Sequence, residues 1–79
     1  MIALVIVTIH SGPEPTTLDL GNHSFAVEPM PGDLLIDVAI DGATRPRVTQ
    51  RCVGLDRVTL RCEAYRAPQA TPGVVGGRP

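Results

Sequence analysis

The chain has no tryptophan and no lysine, and only one phenylalanine and one tyrosine among its 79 residues. Without large aromatic side chains, a core must be assembled from Val, Ile, Leu and Ala. At this size such a core only just outweighs chain entropy, so it must pack efficiently or be shared with a partner. Scarce aromatics also remove most of the stacking platforms with which single-strand binders hold bases. All seven formal cations are arginine, so anion contacts would use planar, bidentate guanidinium groups. A net charge of −1 gives no bulk attraction toward nucleic acid or anionic lipid.

A membrane-spanning run is missing as well. Met1 to Ile9 (MIALVIVTI) is apolar for about nine residues, against roughly 20 needed to cross a bilayer, and has no basic flank. It reads as a buried strand ended by His10-Ser11-Gly12-Pro13, and a cytosolic location is expected. Being apolar on both faces, this strand needs cover on both sides, from which a homodimer through the N-terminal strand is expected.

What the chain does have is alternation. Leu34, Ile36, Val38 and Ile40 point one way and Leu35, Asp37, Ala39 and Asp41 the other, the pattern of a half-buried strand. Asp41-Gly42 then signals a hairpin into a strand over Arg45–Val53. A turn at residues 54–56 leads to a strand over Arg57–Ala64. Keeping apolar side chains together sets Ile36 opposite Val48, Cys52 opposite Val58, Val48 opposite Cys62 and Arg47 opposite Glu63, with an outer ladder Asp37–Arg47–Glu63. Before this meander, residues 11–17 read as a Pro-rich loop. Leu18–Leu20 reads as a short strand before a Gly21-Asn22 turn, and Ser24–Glu28 as another short strand. The expectation is one all-β domain over residues 1–64: a small antiparallel five-stranded barrel or bent sheet with a C-terminal three-stranded meander. Residues 65–79, rich in Pro and Gly, read as a flexible tail.

Chemistry has few footholds. In that register Cys52 and Cys62 share a face but lie about 13 Å apart, too far for a disulfide, so both are expected as free, partly buried thiols. His10, His23, Cys52 and Cys62 lack the close pairing of a structural zinc site, and no metal or other cofactor is expected. His23 and Ser24 are neighbours on one strand and point to opposite faces. His10 and Ser11 are explained by turn capping, and Asp37 faces Arg47. No catalysis is expected. Arg45, Arg47, Arg51, Arg57, Arg61 and Arg66 cluster late in the chain.

The span from Phe25 to Glu63, with VEPMPGDLLIDVAIDG and then PRVTQRCVGLDRVTLRCE, resembles the small SH3-like barrels of bacterial and phage genomes. The likeness rests on Pro31, Gly32, Asp33, Val48, Arg51, Val58, Leu60 and Cys62. It implies a five-stranded barrel or partly open roll serving as a binding module, with no catalytic residues to transfer. The functional expectation is a noncatalytic protein-binding module. A phage or mobile-element accessory or inhibitor protein would fit, one that caps a host defence or CRISPR effector, with Arg47, Arg51, Arg61 and Arg66 as anchors. The alternative is a small nucleic-acid-binding barrel using the same arginine-rich face.

Overall fold

The computed structural model describes residues 1–67. They form four strands, β1 (Ile2–His10), β2 (Thr16–Ser24), β3 (Arg47–Val53) and β4 (Val58–Tyr65), and no helix. The strands make one sheet in the order β2-β1-β4-β3. β1 pairs antiparallel with β2, β3 pairs antiparallel with β4, and the two hairpins join through a parallel β1–β4 contact from Ala3–Val58 to His10–Tyr65. The sheet is therefore mixed and open, neither a closed barrel nor five-stranded, and β4 has β1 as its second neighbour where a meander would continue. Its apolar N-terminal strand takes a central place, which suits a sequence with little polarity on either face.

The strand expected at 34–40 does not form. Residues 25–46 cross from the β2 edge to the β3 edge over one face of the sheet, hereafter the inner face. A turn, closed by the Val38 amide donating to the Leu35 carbonyl (3.2 Å), breaks the alternation. Leu35, Val38 and Ile40 are buried, while Leu34 and Ile36 stay exposed. These three complete a core with Ala3, Val5, Val7, Ile9, Val48, Leu60, Cys62 and Ala64. The segment is fastened to β3 by the Gly32 amide on the Val48 carbonyl, the Val48 amide on the Asp33 carbonyl and the Leu35 amide on the Pro46 carbonyl, each 2.8 Å. Pro46 is itself buried and has no amide to continue a ladder.

Two bulges shape the edges. β2 runs unbroken through Gly21-Asn22 instead of turning there. The register with β1 shifts at Val5/Ile6, Gly21 takes φ of +78°, and its amide donates to Asp19 Oδ1 at 2.8 Å. That positive φ suits glycine. Ser24 is the last residue of β2, and Phe25 to Glu28 lie beyond it, outside any strand.

In β3 the expected pairs Arg47–Glu63 and Val48–Cys62 are present. Thr49 is then extra, so that Gln50 faces Arg61, Arg51 faces Leu60, Cys52 faces Thr59 and Val53 faces Val58. The single added residue turns Cys52 to the face opposite Cys62, correcting the same-face expectation, and turns Arg51 inward. Both cysteines are free. β4 continues to Tyr65 and Arg66 bridges Ala43, so the ordered domain runs past residue 64. The rest of the tail expected at 65–79 lies outside the described residues.

Candidate functional site

Directly paired residues on neighbouring strands project to the same side of a sheet, which allows the outer face to be read rung by rung. Ser24 and Ile2 form the first rung. Asn22, Leu4, Thr59 and Cys52 form the second, and Asp19, Ile6, Arg61 and Gln50 the third. Thr17, Thr8, Glu63 and Arg47 form the fourth, and His10 and Tyr65 the fifth. Down the middle runs an apolar stripe of Ile2 (65% exposed), Leu4 and Ile6. Charged and polar side chains flank it on both sides. Among the described residues no segment crosses this face, whereas the inner face lies under residues 25–46.

The four arginines expected as anchors are divided by the fold. Arg47 and Arg61 project from the outer face and are exposed. Arg47 Nη1 also donates to the Gly32 carbonyl at 2.7 Å, and Arg61 has no ion-pair partner among the described residues. Arg51 and Arg66 serve the crossing segment. Arg51 forms an ion pair with Glu28, and Arg66 Nη2 donates to the Asp41 carbonyl at 3.0 Å, its side chain lying over Gly42. Arg47 and Arg61 thus share a surface, and the other two hold the layer beneath the opposite one.

At the far end of the outer face the fold brings together three side chains that the sequence reading did not group. The His10 and Tyr65 rings stack with centroids 5.1 Å apart. Glu63 Oε1 lies 3.7 Å from His10 Nε2 and accepts from the Tyr65 hydroxyl at 3.4 Å. The parallel β1–β4 register, setting Thr8 beside Glu63 and His10 beside Tyr65, creates this cluster, and no local pattern announces it. No serine, threonine or cysteine hydroxyl or thiol is hydrogen-bonded to the imidazole among the described residues, so the cluster lacks the nucleophile–base contact of covalent catalysis.

Thiol and metal chemistry are weakly served. Burial pushes the Cys62 thiol up from 9.0 to about 11, which keeps it protonated and unreactive at neutral pH. Among the described residues no group of three or more His, Cys, Asp or Glu side chains is placed to hold a metal ion. His10 and Cys52 lie on the outer face, and His23 and Cys62 on the inner one.

A groove of about 460 Å³ lies on the inner side, lined by His23, Phe25, Val27, Leu34, Ile36 and Asp37 among others. A second of about 460 Å³ adjoins the outer face beside Thr44, Arg45, Arg47, Thr49, Glu63 and Tyr65. No helix among the described residues is long and apolar enough to cross a membrane. Comparisons of the chain with protein-family models, with curated proteins and with solved structures find no match.

Proposed function

We propose that the chain is a noncatalytic protein-binding module whose docking surface is the outer face of the sheet. One observation carries the reading: an apolar stripe on β1, rimmed by charge, with no chain layer over it among the described residues. Patches of that make-up mark protein contact surfaces, where an apolar centre is desolvated and a polar rim sets orientation. Arg47 and Arg61 are the rim anchors because they project from the outer face; Arg51 and Arg66 leave the set because Arg51 points to the inner face, where it pairs with Glu28, and Arg66 lies over Gly42 of the crossing segment. The narrower form of the proposal is an accessory or inhibitor protein that acts by capping another protein's surface.

The nucleic-acid alternative is less well supported. Asp19 and Glu63 share the face with Arg47 and Arg61, and the one exposed aromatic there, Tyr65, is stacked on His10. Affinity capture with the wild-type chain and with Ile6→Glu, alongside mobility-shift assays at two salt concentrations, tests the reading. A stoichiometric protein partner that survives moderate salt and is lost with Ile6→Glu supports it. A mobility shift that fades steeply with salt, with no protein captured, refutes it.

A further inference from the structure

The third rung of the outer face has an unusual symmetry. Asp19 on β2 and Arg61 on β4 are both paired to Ile6, so the two opposite charges lie level on either side of the central strand. Neither has an ion-pair partner among the described residues. A second copy laid face to face on the first, related by a two-fold axis running roughly along β1, keeps each rung at its own height and exchanges left for right. Ile6 then meets Ile6, Leu4 meets Leu4 and Thr8 meets Thr8. Arg61 of each copy meets Asp19 of the other, twice by symmetry, and Asn22 meets Thr59. Moving the axis one half-strand toward β4 would set Ile6 against Arg61, so the chemistry selects β1 as the axis.

We propose that the outer face docks on a second copy of this chain, forming a two-fold sandwich with Ile2, Leu4 and Ile6 at its centre and reciprocal Asp19–Arg61 pairs at its rim. The proposal rests on the reading of that face as a protein-docking surface and names its occupant. Sheets pack face to face about 10 Å apart with strands nearly aligned, the arrangement required here. Edge-to-edge pairing is a poorer route to the same dimer. β2 is bent at its edge by the bulge at Gly21 and β3 by the bulge at Thr49, and both devices blunt strand addition. An isologous contact also needs a self-complementary patch, and this rung supplies one. Three overlapping strands, about 4.8 Å apart and about 26 Å long, give roughly 370 Å² of projected face per copy, less than half the roughly 800 Å² per partner of a standard stable interface. A weak, reversible dimer follows, not an obligate one. Arg47, Gln50 and Cys52 overhang the partner's β2 edge and stay accessible.

Sedimentation equilibrium of the full chain from micromolar to sub-millimolar concentration provides the test. The wild type is expected to show a monomer–dimer equilibrium. Arg61→Glu sets like charges against Asp19 at two symmetric places and weakens the dimer by about tenfold or more. Asp19→Arg does the same from the other side, and an equimolar mixture of the two variants restores dimer as a heterodimer, since both rim contacts are then opposite in sign. Circular dichroism of each variant establishes that it is folded. Because Asp19 also caps the bulge, Asp19→Asn combined with Arg61→Glu provides a second route. It keeps the acceptor oxygen and removes the repulsion, and so recovers much of the affinity lost in Arg61→Glu. A wild-type dimer indifferent to Arg61→Glu overturns the proposal. So does a monomer whose outer face is cross-linked to residues 68–79 of its own chain. A strict monomer that captures a different protein, with capture lost in Ile6→Glu, overturns the second copy and leaves the docking face standing. A strict monomer that captures nothing overturns both.

Discussion

Replacing Leu35 with alanine should damage the fold far more than replacing its neighbour Ile36, and the contrast probes the path of the crossing segment directly. Leu35 is 5% exposed and packs in the core; Ile36 is 67% exposed. Leu35→Ala removes three buried carbons at about 0.8 kcal/mol each, about 2.4 kcal/mol in all. The cavity left under the segment brings the loss to about 3 kcal/mol. A domain of this length has a total stability of only about 4–12 kcal/mol, so the loss is a large share of it. At about 4–8 °C per kcal/mol for small domains, the thermal midpoint falls by roughly 12–24 °C. Ile36→Ala should change stability by no more than about 0.5 kcal/mol. Urea unfolding followed by far-UV circular dichroism measures both. A straight strand over 34–40 would put Ile36 in the core and Leu35 outside. Equal losses, or a larger loss for Ile36→Ala, would therefore refute the turn at Leu35–Val38 and the layer built on it.

Other outcomes follow from the bulges and the buried thiol. In the native protein Cys52 should react promptly with a thiol reagent and Cys62 only on unfolding. Because Cys62 has a raised folded pKa, the unfolded chain loses that proton first, and stability should fall as pH rises from about 9 through about 11. Cys62→Val should flatten that limb of the pH profile. Gly21→Ala, at φ of +78°, should cost about 1–2 kcal/mol in chemical denaturation even though a Cβ there meets no neighbouring atom. A double-mutant cycle of Glu28→Gln and Arg51→Met should give a coupling below about 1 kcal/mol that shrinks in high salt, as befits a partly exposed pair.

What could be read from the sequence, and what could not, divides along physical lines. The β3–β4 hairpin was readable because Val58, Leu60, Cys62 and Ala64 alternate with polar residues, and the charge match Arg47–Glu63 agrees with the core match Val48–Cys62. Its bulge was not, since Thr49 carries no mark distinguishing an added residue from a paired one. β1 was evident from an apolar content that demands cover on both faces. Its parallel partner was hidden, because pairing residue 3 with residue 58 leaves no local trace. The segment 34–40 misled for a different reason. Val38 and Ile40 are buried as the alternation implies, but the turn at Leu35–Val38 reverses the first half of the segment, burying Leu35 and leaving Leu34 and Ile36 exposed. At Gly21-Asn22 a glycine that signals a turn instead served a bulge, a substitution of one positive-φ device for another. For the proposed docking face, Arg47 and Arg61 were within reach of the sequence, but Asp19 and the stripe on β1 emerge only once the rungs are aligned.

The parallel seam between β1 and β4 also governs how this chain can assemble in time. Each hairpin is a local object that can zip within microseconds, yet neither has a core of its own. Val5 and Val7 are flanked on the β4 side by Leu60 and Cys62 from the other end of the sequence, under a layer drawn from between them. The barrier should therefore lie at the encounter of two preformed hairpins, where the closure entropy of the connection over residues 25–46 must be spent before the parallel seam rewards it. Substitutions in the seam should slow folding, whereas those in the 25–46 layer should mainly hasten unfolding. A ribosome that has not yet released β4 carries a nascent chain whose first hairpin is complete and whose most apolar strand still has one open flank.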